Sequence, residues 1–212
     1  MAWATTKGFN FRSSLAFVTD GSNEQMVSNS AGDGLYPTTD TIGGESVTYG
    51  WDVATTIRNR DAGIDQRLAG LHFWGSAGDT EAVFRIDLPA TGSYKIRLAV
   101  GDASFDQNNH WVDVRDNGSV LFNVGGGTVD TVTAHFLDAN GTDHTAAAWP
   151  GSNTQRSITM SSTVLQVAIR TVGGVTQGQL AHVEVEQVTG RTTRNTRSAP
   201  LGVEVGMNWR GH

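Results

Sequence analysis

The sequence predicts an all-β protein, a jelly-roll sandwich of about nine short antiparallel strands. Three observations lead to this fold class. Glycine occurs 26 times among 212 residues, which is typical of a chain with many tight turns. Apolar and polar residues alternate with a period of two in many short runs, as they do in strands that bury one face. Long helical periods are missing, so helices are not expected to organise the core.

The clearest strands lie in the middle of the chain, at VFRIDL (83–88) and SYKIRLAVG (93–101). In each run every second residue is apolar, so one face of each strand would be buried. The sequence Pro-Ala-Thr-Gly at 89–92 supplies a turn between them. The pattern therefore predicts that the two strands pair as a hairpin.

Shorter runs of the same kind predict the remaining strands. They are GFNFR (8–12), LAFV (15–18), VTYGW (47–51), LAGLHFW (68–74), WVDVR (111–115), SVLFNV (119–124), DTVTAHFLD (130–138), RSITM (156–160), TVLQVAIR (163–170) and LAHVEVEQV (180–188). Asn117-Gly118 predicts a type I′ hairpin turn between two of them. Residues 20–46 and 52–82 are read as long connections, the first with one short pairing. Residues 1–188 are thus predicted to form one sandwich, and 189–212 a basic C-terminal extension.

Composition excludes several classes of protein. The chain has no cysteine, which rules out a disulfide scaffold and thiolate metal sites. The net charge of −6 argues against nucleic-acid binding over the whole surface. No run approaches the roughly 18 apolar residues of a membrane-spanning helix. The N-terminus lacks a basic head followed by an apolar run, so no secretory signal is expected.

A cluster of arginine and aspartate dominates the segment between the central strands. Its members are Arg58, Arg60, Asp61, Asp65, Arg67 and Asp102. Desolvated charges must be paired, so these residues are predicted to form structural ion pairs that tie a long loop to the sheet. The alternative is a polar rim that binds sugar hydroxyls.

Aromatic residues in loops are the candidate ligand contacts, because sugars stack their C–H faces on such rings. Trp149, in the loop TAAAWPGSN, is predicted to be the most exposed of them, and Tyr36 and Trp74 are further candidates. Trp51 ends a strand and is expected in the core.

The motifs of known catalytic and metal sites are absent from the sequence. A nucleophile elbow, a P-loop and a dinucleotide fingerprint are all missing, so the protein is predicted not to be an enzyme. The histidines show neither H-x-H nor H-E-x-x-H spacing, and no metal site or cofactor is predicted. Calcium would find some oxygen ligands in Asp102, Asp106, Asn108 and Asn109, although an Asp-x-Asp-x-Asp run is lacking.

The C-terminal extension carries four arginines and a single glutamate. Arg191, Arg194, Arg197 and Trp209 are predicted to form an arm that orders on a partner. A disordered terminus is the alternative reading.

An ordered series of motifs resembles the galactose-binding-like, malectin-like β-sandwich family. The motifs are FNF near the start, YGW (49–51), RNRD (58–61), DQRLAG (65–70), FRIDLP (84–89), GSYKIRLAVGD (92–102) and HVEVEQ (182–187), and the resemblance covers about residues 8–188. Such domains are common in carbohydrate-binding modules appended to bacterial polysaccharide enzymes and in phage and metagenomic proteins. The resemblance implies a jelly roll with the YGW-to-RNRD loop on one rim. The chain departs from the family's usual setting by its lack of a signal peptide and of a catalytic domain, and by its basic tail.

These features predict a non-enzymatic virion structural protein, a capsid decoration or tail surface protein of a phage, made in the host cytoplasm. The expected partners are other virion subunits or further copies of the chain in a homo-oligomer, with glycans as an additional ligand and without nucleic acid or membrane. A stand-alone carbohydrate-binding module is the alternative function.

Overall fold

Strands make up nearly all of the regular structure of this protein. The computed structural model describes residues 2–12, 23–27, 34–60, 65–75, 80–151, 153–170 and 178–189. Within these ranges the helical elements are two single 3-10 turns, Gln66–Leu68 and Val124–Gly126. The predicted strand LAFV (15–18) and the residues of the predicted arm lie outside the described ranges.

The described ranges form eighteen strands, numbered here in chain order. They are β1 (Lys7–Phe11), β2 (Glu24–Val27), β3 (Thr38–Ile42), β4 (Glu45–Trp51), β5 (Thr56–Asn59), β6 (Gly70–Trp74), β7 (Glu81–Asp87), β8 (Gly92–Asp102), β9 (Gln107–His110), β10 (Val112–Asp116), β11 (Ser119–Asn123), β12 (Val129–Thr131), β13 (His135–Leu137), β14 (Asp143–Thr145), β15 (Gln155–Met160), β16 (Val164–Arg170), β17 (Gly178–Leu180) and β18 (His182–Gln187).

Two main sheets pack face to face. Sheet A has the order β14-β13-β8-β18-β1-β2, and β15 also pairs with β8. Sheet B has the order β11-β10-β16-β7-β4-β3. Two small sheets, β12-β9 and β17-β6-β5, complete the described structure. The predicted all-β sandwich is confirmed, with more and shorter strands than expected.

Aromatic side chains from the two sheets meet in the core. The ring of Phe84 in β7 lies 5.3 and 5.0 Å from the rings of Phe9 and Phe11 in β1, and 5.3 Å from the ring of Trp51. All four side chains are fully buried. Burial of each such side chain stabilises the fold by roughly 1.5–3 kcal/mol or more. The prediction that Trp51 lies in the core is confirmed.

The predicted hairpin of the two central strands is wrong, although both strands exist. The β7 strand pairs with β16 and β4 in sheet B, whereas β8 pairs with β13, β15 and β18 in sheet A. The segment 88–91 therefore carries the chain from one sheet to the other. Alternation indicates which face of a strand is buried, and both strands do bury one face in the common core. It does not indicate the hydrogen-bonded neighbour, which depends on the more distant strands that compete for each edge.

The β10–β11 hairpin confirms the other turn prediction. Asn117 and Gly118 have φ angles of 46° and 90°, and Asp116 pairs with Ser119 across the turn. Positive φ at both central residues is the signature of a type I′ turn. Asparagine and glycine tolerate that conformation better than other residues.

The predicted strand 130–138 is broken into β12 and β13. The amide of Thr133 donates to the Asp106 side chain, at 2.7 Å, instead of to a neighbouring strand. Ala134 adopts a φ of 59°, and the His135 amide bonds back to the carbonyl of Val132. These contacts turn the chain at 132–134 and bring this loop beside the residues that follow β8.

Candidate functional site

The candidate site is a rim at the end of the sandwich where β8 stops. Because the chain crosses between the sheets at 88–91, the start of β7 and the end of β8 lie together at the opposite end. Three segments meet there: Arg60 after β5, the loop 103–106 after β8, and the loop 132–134 between β12 and β13. The pairing of β9 with β12 joins the last two segments. We call these segments, together with Asp102, the rim.

Asp102 organises the rim. Its carboxylate is 1% exposed and accepts hydrogen bonds from Arg60 Nε at 2.8 Å and Arg60 Nη2 at 2.9 Å. The amide of Ser104 donates to it at 2.8 Å, and Gln107 Nε2 donates at 3.4 Å. Paired, parallel bonds from an arginine fix both partners in one orientation. One buried carboxylate therefore holds the β5 connection and the loop after β8 in place.

Phe105 is the exposed aromatic residue of the rim. Its side chain is 56% exposed, and the guanidinium carbon of Arg60 lies 4.8 Å from the centre of its ring. A guanidinium over a ring is an attractive contact. Because Asp102 fixes that guanidinium, the ring rests on a rigid support while more than half of its surface faces water. Val132, 54% exposed, adds a second apolar group from the neighbouring loop.

Asp106 joins the two loops of the rim. Its Oδ1 atom accepts from the amide of Thr133 at 2.7 Å and from the Thr133 hydroxyl at 2.8 Å. The hydrogen bond from the Thr133 side chain, followed by that from its backbone, lowers the pKa of Asp106. The amide of Asn109 donates to Asp130 at 2.7 Å in the same region. The rim loops are thus held together by side-chain contacts as well as by the β9–β12 pair.

A second guanidinium–phenylalanine contact lies beside the first. Arg58 and Arg60 are two residues apart at the end of β5, and the guanidinium carbon of Arg58 lies 4.8 Å from the centre of the Phe73 ring. Phe73 is half-buried on the neighbouring strand β6. The rim therefore presents two arginines, each resting on an aromatic ring.

The structure divides the predicted charged cluster into separate parts. Arg60 and Asp102 form the pair described above, while Arg67 and Asp65 form another, with Arg67 Nη2 2.6 Å from Asp65 Oδ2. Burial raises the pKa of Asp65, but hydrogen bonds from the side chain and backbone of Arg67 outweigh it, so the pKa lies below its usual value. Arg58 stacks on Phe73 as described, and Asp61 lies outside the described residues.

The prediction that Trp149 is exposed is wrong. The side chain is 3% exposed, and its Nε1 atom donates to the carbonyl of Leu98 at 3.3 Å. Its ring packs edge-on against His182, and the Arg67 guanidinium carbon lies 5.3 Å from the ring centre. The loop folds onto the outer face of sheet A, where small residues such as Ala99 and Ala181 leave room for the indole. Trp149 is part of a second buried cluster, so the assignment to a ligand contact is corrected.

Tyr36 and Trp74 are both half-buried and lie apart from Phe105 in the contact pattern. The Tyr36 hydroxyl donates to Asp87 at 3.1 Å, and the Arg85 guanidinium carbon lies 4.2 Å from the ring centre. Trp74 Nε1 donates to the Thr80 hydroxyl at 2.9 Å. The three aromatic residues predicted from the sequence thus do not converge on one site. Phe105 was missed, although an aromatic residue in the polar stretch DASFDQNN was a visible signal.

Other sequence predictions meet only part of the described structure. Arg191, Arg194, Arg197 and Trp209 lie outside the described residues. Among the described residues, no group of three or more His, Asp or Glu side chains is arranged to hold a metal ion. Of the oxygen ligands considered for calcium, Asp102 and Asp106 accept bonds from Arg60 and Thr133 instead. The described part of the chain also contains no helix that is long and apolar enough to span a membrane.

Comparison with known proteins gives similarity of structure only. No protein-family model matches the sequence, and no curated protein matches it. Solved structures with a similar fold include the protein YXIM of Bacillus subtilis (14% identical, TM-score 0.47) and a β-glucuronidase of Bacteroides uniformis (11% identical, TM-score 0.48). A family 35 carbohydrate-binding module of Clostridium thermocellum is 11% identical, with a TM-score of 0.35.

The matched regions differ in extent. The chain aligns over 87% of its length with YXIM and with the β-glucuronidase, but it covers only 40% and 18% of those proteins. For the carbohydrate-binding module, 70% of this chain covers 95% of the module. Identities and TM-scores this low say nothing about a ligand, so function is argued from the chain's own residues.

Proposed function

We propose that this protein is a non-enzymatic carbohydrate-binding module whose rim around Phe105 contacts a glycan. The observation that carries the proposal is the exposed ring of Phe105, 56% exposed and resting on an arginine that a buried aspartate fixes. An exposed apolar ring costs solvation free energy unless a ligand covers it, and aromatic side chains dominate binding energetics at recognition sites. Sugars offer flat C–H faces that match such a ring.

The groups around the ring suit a hydroxyl-bearing ligand. Ser104, Asn108 and Thr133 are exposed, and they supply hydroxyl and amide groups on the loops that carry Phe105 and its neighbours. A hydroxyl or an amide can both donate and accept, as sugar hydroxyls do. The nearby carboxylates of Asp102 and Asp106 are already engaged by the protein's own donors, which favours binding over acid–base catalysis.

Replacing Phe105 with alanine tests the proposal. Binding to the glycans that the wild type retains on a glycan array is expected to weaken about ten-fold or more, which corresponds to about 1.4 kcal/mol. The melting temperature is expected to change little, because more than half of the side chain is already exposed. Calorimetric titration with the best array ligand and a thermal melt provide the two measurements.

A matched control is Val120→Ala, which truncates an equally exposed apolar residue on β11, in the other sheet. This variant is expected to bind like the wild type. Glycan binding that survives Phe105→Ala unchanged would remove the rim from the proposal. Failure of the wild type to bind any glycan would remove the function itself.

The virion role predicted from the sequence remains a proposal about where the module acts. It depends on Arg191, Arg194, Arg197 and Trp209, which lie outside the described residues. Self-association or attachment to virion subunits would be compatible with glycan binding, since both can occur on one particle surface. Sedimentation of the full chain, alone and with purified particles, tests this location. A strict monomer that joins no particle would contradict it.

A further inference from the structure

A second polar pocket lies at the other end of the sandwich, beside Trp3. Its volume is about 410 Å³, within the range of small-molecule sites. The wall is formed by Trp3, Ala4, Thr5, Thr6, Asn23, Glu186, Gln187 and Thr189. These residues come from the segment before β1, from the residue before β2 and from the end of β18. The rim contributes nothing to this pocket.

The N-terminal wall of the pocket is rigidly attached. The amide of Trp3 donates to Gln187 Oε1 at 2.8 Å, and the amide of Ala4 donates to Glu45 Oε1 at 2.9 Å. Lys7, fully buried, donates from Nζ to Thr5 Oγ1 at 2.8 Å, to the carbonyl of Ile42 at 2.8 Å and to Glu45 Oε2 at 2.5 Å. A buried ammonium with three oxygen partners fixes the segment that carries Thr5 and Thr6. The pocket is therefore largely preformed.

The chemistry of the wall selects the class of ligand. Three hydroxyls, two amides and one carboxylate line the pocket, from Thr5, Thr6 and Thr189, from Asn23 and Gln187, and from Glu186. None of these lining side chains is basic, and Glu186 would repel an anion, so phosphate and acidic ligands are disfavoured. An apolar ligand would leave the polar groups unpaired. A ligand with several neutral hydroxyl groups can satisfy donors and acceptors together.

We propose that this pocket is a second binding site, for a neutral polyhydroxylated ligand of monosaccharide size. Together with the rim at the opposite end, it gives one sandwich two separate sites. The two sites would let a single molecule hold two glycan chains, or two parts of one chain, and so raise its avidity for repetitive polysaccharides. The pocket is argued from its own wall and does not depend on Phe105.

Substitution at Thr189 tests the pocket with little risk to the fold. Thr189 is exposed after the last strand and lines the pocket, so Thr189→Trp would fill it. Val188→Trp is the matched control, because Val188 is 41% exposed and adjacent in sequence but is not part of the wall. Amide and indole NMR signals of labelled protein are followed while the methyl glycosides of neutral hexoses, inorganic phosphate and spermidine are added separately.

The expected result is a saturable change at the Trp3 indole and the Gln187 side-chain amide with at least one hexoside. It should persist in Val188→Trp and Phe105→Ala and disappear in Thr189→Trp. Changes at the rim alone would overturn the second site while supporting the first. Changes at Trp3 alone, with none at the rim, would support the second site and count against the proposed rim function. A response to phosphate or spermidine but to no hexoside would overturn the ligand class.

Discussion

Acidification from pH 6.5 to about pH 4.5 is expected to lower the free energy of unfolding by about 4–5 kcal/mol. Two histidines cause this loss. His72 and His182 are both fully buried, and burial lowers the pKa of each from 6.5 to about 3 in the folded protein. For His182, the charges of Arg67 and Arg97 lower the pKa further. A loss of this size is a large fraction of the stability of a typical domain.

The direction follows from proton binding. Between the unfolded pKa of 6.5 and the folded pKa of about 3, the unfolded chain binds a proton at each histidine and the folded chain does not. Stability is therefore complete above pH 6.5 and is lost as the pH falls, at up to about 1.4 kcal/mol per pH unit for each residue. Carboxylates with lowered pKa values, such as Asp65 and Asp113, add to the loss only near and below their unfolded values of 3.8.

Local contacts explain why neither ring accepts a proton readily. His72 Nε2 donates to the carbonyl of Val27 at 3.1 Å, so Nδ1 is the acceptor for the Thr55 hydroxyl at 2.8 Å. His182 Nδ1 donates to Asn10 Oδ1 at 2.8 Å, while its Nε2 atom has no hydrogen-bond partner among the described residues. A second proton on either ring would break an existing bond or place a buried N–H without an acceptor.

Urea unfolding followed by tryptophan fluorescence, at several pH values between 6.5 and 4.5, measures the slope. His182→Gln and His72→Gln should each reduce that slope by about half, whatever they do to the stability at neutral pH. Because the slope is the readout, a destabilised variant remains informative. A wild-type free energy of unfolding that stays constant over this range would contradict the prediction, as would a slope that neither substitution alters.

Sequence patterns predicted the faces of the strands better than their partners. The alternation in β7 and β8 correctly indicated which residues enter the core, because a strand's period depends only on its own backbone geometry. The false hairpin arose because both strands point at the same core from opposite sheets. Sheet pairing depends on contacts between distant segments, such as β8 with β18, which no local pattern contains.

The candidate site shows the same limit for single residues. Arginine and aspartate in one segment correctly suggested ion pairs, but only the folded chain brings Arg60 to Asp102, which lies 42 positions away. Trp149 and Phe105 both lie in loops between strands. One loop folds over small residues of sheet A and is buried, and the other extends beyond the end of β8 and is exposed. Exposure of a loop aromatic residue is decided by what lies beneath the loop.

Replacing Asp102 with alanine is expected to destabilise the protein by about 3 kcal/mol or more. The change leaves Arg60 without its carboxylate and the amide of Ser104 without its acceptor. Arg60 is 16% exposed, so water can replace part of the lost contact, and a value at the lower end of the usual range of about 3–5 kcal/mol is expected. The melting temperature should fall by on the order of 10 °C for a chain of this size.

Glycan binding should weaken in the same variant for a different reason than in Phe105→Ala. The ring of Phe105 is still present, but the arginine beneath it is no longer held, so ligand binding must also order the rim. Asp102→Asn keeps one oxygen acceptor for the Ser104 amide and removes the charge. It should therefore lie between the wild type and Asp102→Ala in both stability and affinity.

A double-mutant cycle with Arg60→Ala and Asp102→Ala separates the pair from its surroundings. The two substitutions should be non-additive by about 1–3 kcal/mol in the free energy of unfolding, because either one alone already breaks the paired bonds. Additive losses would mean that the contact between Arg60 and Asp102 contributes little. Stability equal to wild type with binding abolished would make Asp102 a ligand contact. The combined result therefore distinguishes a residue that supports the binding surface from one that belongs to it.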